Sequence, residues 1–418
     1  MLKYLQAWFA ANPTLYGSPL HYRKYALAAL ILLTIVLLLG LTQTLAYFTP
    51  FSPTVLGVFW VALGLSLLAS FTTLTVLWFL DRREREARLV YVLAFLWGGA
   101  IATGLAMPLN QQIITAVTAL VKGDPALSQF VNDQPMLLAA PIAGPLVEEF
   151  TKGLGVLVFF MLLRGEFDNM RDGFIYGALI GAGFNCLEVA LYIAGGFAWT
   201  GVAPWGAQIG GRYALFGFAG HALYTGLFGA GLGWARQSRR RNLRWLASML
   251  GLLLALAAHA WNNALPLIHR YIQLTPQIDV DVLILFNQPV VTSWLTRSYT
   301  VLVFFWPFYL LLLAGLWRSG VWERGVICTE LSSEYHPIVT AAERLGLQHD
   351  RMWRTRRVPQ LSRQYSRAVV NAQNELAFRK CRVRGRGQNP EFDPLVQHWR
   401  RRIIQLRTAA ALHQPDEA

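Results

Sequence analysis

Apolar segments long enough to cross a lipid bilayer follow one another along most of this 418-residue chain. The first runs from Tyr25 to Phe48, and a helix of about 20 apolar residues spans the hydrocarbon of a bilayer, which is roughly 30 Å thick. Only 14% of the residues are charged, whereas an average soluble domain has about 25%. The sequence therefore predicts an all-α, polytopic membrane protein with about eight transmembrane helices.

Arginine-rich loops decide the predicted orientation of these helices. The predicted spans are residues 25–48, 54–80, 89–107, 136–163, 173–199, 212–235, 244–267 and 296–317. The loops DRREREAR, RGEFDNMRD and RQSRRRNLR alternate with loops almost free of Lys and Arg, and the long 108–135 loop contains only Lys122. Because Lys and Arg are retained on the cytosolic side of a membrane, we expect both termini to be cytosolic. The expected location is a bacterial-type cytoplasmic membrane.

The segments on either side of the predicted membrane domain, residues 25–317, differ from it in composition. Residues 1–24 predict a cytosolic or interfacial N-terminal segment. From Arg318 onward there are 18 Lys and Arg residues and 10 Asp and Glu residues, a net charge of +8 out of +14 for the chain. The patterns TAAERLGL, SRAVVNAQNELAF and LVQHWRRRIIQLRTAAAL predict a basic, cytosolic, helical domain at residues 318–418. Its charge indicates either an ordinary solvated surface or a site for anionic lipid, and we expect no nucleic-acid partner.

Ionisable and amide side chains occur inside four successive predicted spans, within a predicted catalytic core at residues 136–267. They are Glu148, Glu149, Lys152, Glu188, His221, His259, Asn262 and Asn263. An ionisable group among lipid chains costs several kcal/mol unless it faces a cavity or a partner. At about 1.5 Å per residue, the acids and imidazoles of all four helices lie roughly 12–18 Å below the outer surface. We therefore expect them to converge on one buried, water-filled polar site.

Spacing within the helices agrees with a shared site. His259 and Asn263 are four residues apart, as are Glu148 and Lys152, so each pair shares a helix face. Glu149 lies about 100° around the helix from Glu148. Both glutamates can therefore face a cavity only if their helix is buried on that side.

Four motifs in these spans resemble those of the PrsW family of intramembrane proteases, relatives of the CAAX prenyl protease and bacteriocin-processing superfamily. The family's E-E-x-x-K motif corresponds to Glu148–Lys152. D-G-x-x-Y-G and the following G-F-x-x-x-E correspond to Asp172–Gly177 and Gly183–Glu188, and His221 opens H-A-L. The family's H-x-x-x-D is His259–Asn263 here, so an asparagine replaces the aspartate. The resemblance does not extend to the basic tail.

The resemblance implies hydrolysis of a peptide bond in a membrane-anchored protein, such as an anti-sigma factor, near the extracytoplasmic side. The expected partners are a single-span membrane protein as substrate and the lipid bilayer itself. The superfamily is discussed both as metal-dependent and as glutamate-type, and the residues of this chain leave both alternatives open.

In the metal-free alternative, Glu148 or Glu149 acts as a general base that activates water. His221 or His259, assisted by Asn263, then faces the oxyanion that develops on the substrate. This mechanism needs no cofactor.

In the metal-dependent alternative, a single Zn ion is bound by Glu188, His221 and His259. Two histidines and a glutamate form a known catalytic zinc set. Glu148 or Glu149 remains the general base. No H-E-x-x-H motif occurs, so three separate helices must supply the ligands.

Other residues have structural interpretations. Lys152 and Asn262 are supporting residues, of which Lys152 is an ion-pair partner for a glutamate. Arg212, at the outer start of its predicted span, is interpreted as an interfacial anchor. The scattered cysteines, Cys186 among them, indicate neither a disulfide framework nor a cysteine metal cluster.

Two other functions are consistent with buried acids and imidazoles. A proton-coupled transporter would use them as a relay, but such transporters commonly consist of two related halves, and no internal repeat is visible here. A catalytically inactive membrane scaffold would act through its basic tail, although the motif residues are present.

Overall fold

The structure, a computed structural model, describes residues 18–83, 88–238, 240–272, 288–347, 356–358 and 360–412. In this part of the chain the regular elements are helices, without a strand, so the all-α prediction is confirmed. The chain divides into a membrane unit, Met1–Leu80 and Glu86–Leu312, and a tail unit, Asp81–Arg85 and Leu313–Ala418. Residues 1–17 of the predicted N-terminal segment lie outside the described residues.

Several helices of the membrane unit are long and apolar. In chain order they are α1 (Arg23–Phe48), α2 (Pro53–Leu80), α3 (Arg88–Leu96), α4 (Thr103–Gly123), α5 (Pro125–Val131), α6 (Met136–Ala143), α7 (Glu149–Leu162), α8 (Met170–Thr200), α9 (His221–Gln237), α10 (Arg241–Ile272) and α11 (Val290–Ser332), of which α11 ends beyond the unit boundary. Within the described residues, seven helical segments are long and apolar enough to cross a membrane. They correspond to the predicted spans other than 136–163.

The predicted span at 136–163 is divided into two helices rather than one. A π-helical turn at Gly144–Glu148 joins α6 to α7, and neither helix is long enough alone to cross a bilayer. Pro145 lies in this turn and has no N–H to donate to the preceding turn of helix, which disfavours a regular α-helix there. The glutamates of the E-E-x-x-K motif therefore lie at the junction of the two helices.

The predicted loop at 108–135 is wrong, because most of it is helical. A π-helical segment at Trp97–Ala102 joins α3 to α4, and α4 continues through Pro108 as far as Gly123. A proline inside a membrane helix removes only one backbone hydrogen bond, which neighbouring groups can compensate. Asp124 then caps α5, since its Oδ1 accepts a hydrogen bond from the backbone N–H of Ala126 at 2.8 Å.

The most buried helix of the membrane unit is α8. In its most apolar 18-residue window 94% of the residues are buried, whereas in α1 the fraction is 6%. Glycines allow α8 to approach α9 closely: a Cβ on Gly177 would lie 2.3 Å from the carbonyl oxygen of Thr225, and one on Gly181 would lie 2.2 Å from that of His221. This contact brings the face of α8 that carries Glu188 next to the start of α9.

Regular helix in the predicted span 212–235 begins only at His221. The preceding segment contains a short π-helical turn, Gly206–Gly210, and a 3-10 turn, Ala214–Gly217. Leu215 and Phe216 have left-handed backbone conformations, with φ of 48° and 58°. Thr73 of α2 donates a hydrogen bond to the Phe216 carbonyl at 2.8 Å, so side-chain contacts with a neighbouring helix stabilise this irregular backbone.

The tail unit has helices at the three segments where amphipathic patterns predict them. These are α12 (Ala341–Leu347), α13 (Arg363–Gly385) and α14 (Pro394–Leu412). Leu331, Val369, Leu376 and Ile403 belong to their shared apolar core. Most of the basic run RMWRTRR falls at residues 351–355, which lie outside the described residues.

Candidate active site

Adjacent glutamates occupy the end of the π-helical turn and the first position of α7. Glu148 and Glu149 are both buried, whereas Phe150 is 61% exposed and Leu146 is 55% exposed. The two carboxylates therefore face the interior of the helix bundle, and the flanking apolar side chains face outward. This arrangement satisfies the condition that both glutamates be buried on one side of their helix.

Both carboxylate oxygens of Glu149 accept hydrogen bonds. Oε1 accepts from Lys152 Nζ at 2.6 Å and from His259 Nδ1 at 2.9 Å. Oε2 accepts from the hydroxyl of Thr225 at 2.9 Å. Glu149 thus connects α7 to α9 and α10, and it determines the orientation of the His259 ring.

Glu148 has one oxygen without a hydrogen-bond partner. Asn110 of α4 donates to Oε1 at 3.0 Å, but Oε2 is buried and accepts no hydrogen bond. Around Oε2 lie His221 Nδ1 and His259 Nε2, each at 3.8 Å, and Lys152 Nζ at 3.7 Å. These distances are too long for direct hydrogen bonds, and this oxygen is the acceptor that the surrounding protein leaves open.

His221 connects Lys152 to Glu188. Its Nε2 lies 2.8 Å from Glu188 Oε2, and its Nδ1 lies 2.8 Å from Lys152 Nζ. Because an ammonium group can only donate, Nδ1 accepts and Nε2 carries the proton that is donated to Glu188. The His221 and His259 rings are neighbours, with centroids 5.1 Å apart.

Arg212 belongs to the site, so its interpretation as an interfacial anchor is wrong. Its guanidinium donates a short hydrogen bond to Glu188 Oε2 and lies 3.2 Å from His221 Nε2. The irregular backbone before α9 turns this side chain inward toward α8. A lone arginine in an apolar region needs a partner. This rule would have identified Arg212 if it had been applied to the segment before α9 as well as to the helix itself.

Amide side chains continue the polar site along α10. Asn262 Nδ2 donates to Asn263 Oδ1 at 3.0 Å, and Asn263 Nδ2 donates to the Ala140 carbonyl at 3.1 Å. Arg297 of α11 donates a short hydrogen bond to Asn262 Oδ1. Asn263 is therefore held next to the π-helical turn, with its amide nitrogen near Gly144.

A cavity of about 830 Å³ opens beside these groups. The predicted site residues in its wall are Glu148, Glu188, His221, His259, Asn262 and Asn263. Glu149 and Lys152 are not among the described residues that line the cavity. The structure therefore brings the predicted residues together in two layers, with Glu149 and Lys152 behind those that face the cavity.

Three donors in this cluster could hold a metal ion. One ligand atom each from Glu148, His221 and His259 lies within 4.8 Å of the other two, and the unpaired Glu148 oxygen fits the need of a divalent cation for a carboxylate ligand. Gly144 leaves room beside them, because a Cβ there would lie 3.3 Å from His259 Nε2. Glu188 of the predicted ligand set is not in this group, and it is held by hydrogen bonds with Arg212 and His221.

Comparison with known proteins identifies the family of the chain. A family described as PrsW family intramembrane metalloprotease matches residues 86–294, which contain every predicted site residue. The chain belongs to the PrsW family. No solved structure matches it.

Two PrsW relatives show the extent of the similarity. Protease PrsW of Halalkalibacterium halodurans is 32% identical over 132 residues, which are 32% of this chain and 56% of that protein. Protease PrsW of Geobacillus kaustophilus is 31% identical over 129 residues, 29% of this chain and 53% of that protein. The chain thus spans about half the length of the curated PrsW relatives that it matches.

Sequence reasoning missed three of the polar groups that contact the PrsW motif residues. Asn110 lies in the helix that was predicted to be a loop. Thr225 follows His221 by four residues on the same face of α9, a spacing that could have indicated it. Arg297 lies after the last PrsW motif, near the start of the predicted span 296–317.

Proposed function

We propose that this chain is an intramembrane endopeptidase that hydrolyses a peptide bond of a membrane-anchored protein. The observation that carries the proposal is the unpaired Oε2 of Glu148, which faces two imidazoles beside a cavity. A buried carboxylate oxygen without a partner is costly for stability. In a cavity it is also what a general base needs, because it can accept a proton from water.

Glu148 and Glu149 have different roles in this proposal. Glu148 Oε2 accepts the proton of a water molecule in the cavity, and Asn110 holds the other oxygen in place. Glu149 is a positioning residue: it accepts the Nδ1 proton of His259, so that Nε2 of this ring points toward the cavity. A carboxylate that orients an imidazole in this way fixes its tautomer and increases its basicity.

Two alternatives for the third component stay open. A divalent metal ion bound by Glu148, His221 and His259 would polarise the scissile carbonyl and lower the pKa of a bound water. Without a metal ion, protonated His259 is stabilised by Glu149 and donates from Nε2 to the developing oxyanion, next to the amide of Asn263. In both alternatives Glu149 orients His259, whereas Glu148 would be the base without a metal ion and a ligand with one.

The proposed substrate is a single-span membrane protein, such as an anti-sigma factor, cut near the extracytoplasmic side. The arginine-rich loops support a cut near this side, because they predict cytosolic termini and hence a site nearer the extracytoplasmic surface. The name of the two relatives, Protease PrsW, supports peptide-bond hydrolysis.

Reconstitution with a single-span substrate tests the proposal. The purified protein is expected to cut the substrate, and Glu148→Gln is expected to lower the rate about 10²–10⁴-fold, the usual contribution of a general base. Glu166→Gln, at a loop carboxylate outside the cavity, is the matched control. Full activity of Glu148→Gln, or proton-coupled flux without cleavage, would contradict the proposal.

Elemental analysis of the same preparation separates the two mechanisms. A stoichiometric transition metal that is lost together with activity on chelation, and also lost in His221→Ala and His259→Ala, supports the metal-dependent alternative. Chelator-resistant activity in metal-free protein supports the alternative without a metal.

A further inference from the structure

We propose that Arg297 binds a carboxylate of the polypeptide in the cavity and so selects substrates that have an acidic group near the scissile bond. This inference rests on the proposed function, because it takes the bound polypeptide to be a substrate. The binding experiment below does not require hydrolysis. Arg297 lies in α11, after the end of the family match at residue 294.

Arg297 projects into the wall of the same cavity as Glu148 and His259. Its side-chain hydrogen bond goes to Asn262 Oδ1. A guanidinium has five N–H donors, so one amide oxygen uses a small part of its capacity. The remaining donors are available to a molecule that enters the cavity.

The other basic groups of the site have acidic partners. Lys152 donates to Glu149 at 2.6 Å, and Arg212 pairs with Glu188. In the described part of the chain no Asp or Glu forms an ion pair with Arg297. A guanidinium in a membrane unit without a counter-charge is costly, and a ligand carboxylate would provide that charge.

Carboxylate is the chemistry that matches this residue best. An arginine and a carboxylate form two parallel charge-assisted hydrogen bonds. Asn262 fixes the guanidinium from one side and is itself held by Asn263. The site is therefore preorganised for an anion on the side that faces the cavity.

The position of Arg297 sets the distance between the bound carboxylate and the reacting bond. Its partner Asn262 follows His259 by three residues on α10, which is about 4.5 Å along the helix axis. An extended peptide advances about 3.3 Å per residue. The acidic group should therefore lie within about three residues of the scissile bond, or be the free C-terminal carboxylate of a short product-like peptide.

A binding scan tests the inference without requiring cleavage. Single-span peptides carrying Asp at successive positions, and Asn at the same positions as controls, are titrated onto Glu148→Gln protein in nanodiscs of zwitterionic lipid. At one to three adjacent positions the Asp peptide should bind about ten-fold or more tightly than the Asn peptide, as expected for a charge-assisted pair. Each peptide is tested with an amidated and with a free C-terminus.

Variants at position 297 then assign the preference. Arg297→Gln should abolish it, and Arg297→Lys should retain part of it, because lysine keeps the charge but not the two-pronged geometry. Thr300→Val, one turn along α11 in the same cavity wall, should retain it fully. An Arg297-dependent preference seen only with free C-termini assigns the site to the terminal carboxylate.

Other results overturn the inference. Equal binding of Asp and Asn peptides at every position and with both C-termini would do so, as would an Asp preference that persists in Arg297→Gln. A uniform loss of binding for all peptides in Arg297→Gln, with no preference in the parent protein, would show that Arg297 only supports Asn262. If the protein with Glu148 intact binds Asp peptides preferentially but does not cleave them, the proposed function is contradicted and the carboxylate site is not.

Discussion

In the tail unit both oxygens of Glu334 accept hydrogen bonds, from Lys380 at 2.6 Å and from Arg400 at 2.7 and 3.0 Å. In the membrane unit Glu148 Oε2 accepts none. Both side chains are buried. The difference between them lies in the number of partners.

Asp393 of the tail unit resembles Glu334. Its Oδ1 accepts from Arg379 and from the backbone N–H groups of Leu395 and Val396, and its Oδ2 accepts from Arg379 at 2.5 Å. A fully bonded buried acid holds helices together, whereas an incompletely bonded one beside a cavity is available for chemistry. The comparison therefore separates acids that hold helices together from the acid that we propose as the general base.

Glu148→Gln should break function and spare folding. Cleavage is expected to fall about 10²–10⁴-fold, whereas the thermal midpoint of the membrane unit should stay the same or rise, because Oε2 accepts no hydrogen bond that the variant would lose. Activity and melting are measured on the same sample in nanodiscs. A lower midpoint together with the loss of activity would mean that Glu148 is structural like Glu334.

Glu334→Gln should have the opposite effect. It leaves Lys380 buried beside a neutral group, and loss of one partner of a buried ion pair costs about 3–5 kcal/mol. Hydrogen exchange in α13 should therefore accelerate strongly. Glu391→Gln is the matched control, since its 55% exposed side chain also pairs with Arg400, and an exposed pair contributes about 1 kcal/mol or less. Equal effects of the two variants would contradict the comparison.

Gly144→Ala should damage the site more than the fold. The new Cβ would lie 2.8 Å from Asn263 Nδ2, and this side chain can rotate away without moving the backbone. We expect a loss of about ten-fold or more in cleavage, as for a small misplacement of reacting groups, with little change in melting. Gly57→Ala is the control, because its Cβ would meet nothing within 4 Å. Unchanged cleavage in Gly144→Ala would argue that Asn263 has no role.

Low pH should lower the stability of the tail unit, and this is the smallest of the four expected effects. Burial would raise the pKa of Glu334, but hydrogen bonds from Arg400 and Lys380 hold this pKa below its ordinary value of 4.5. A group with a lowered folded pKa contributes stability that is present above the unfolded value and is lost as the pH falls through the folded one. Hydrogen exchange of α13, corrected for its intrinsic pH dependence, should report reduced stability from pH 5 to pH 3. The slope should be shallower in Glu334→Gln.

The sequence was sufficient to predict the helical membrane fold and the residues that converge. Long apolar runs specify helices in a bilayer, and buried charge specifies where they meet, so Glu148, Glu188, His221 and His259 could be assigned to one site in advance. Arg212 was not assigned to the site, because its partner Glu188 lies on α8, 24 residues away in the sequence.

The different hydrogen bonding of the adjacent glutamates also lay beyond the sequence. Asn110 and Thr225, which hold Glu148 and Glu149 respectively, come from other helices, and a pattern within one helix carries no information about them. The same holds for the contact between Arg212 and Glu188, which joins residues from separate segments.

The π-helical turn at Gly144–Glu148 adds about one residue to a helical turn relative to an α-helix. Deletion of Pro145 would remove both the extra residue and the missing N–H, so that α6 and α7 could merge into one continuous span. The merged helix would still be apolar and long enough for the bilayer, but everything on its N-terminal side would be rotated by about 100° relative to α7. Membrane insertion and the alignment of the reacting groups thus depend on separate properties of the same segment. Deletion of one residue can remove the alignment and preserve the insertion.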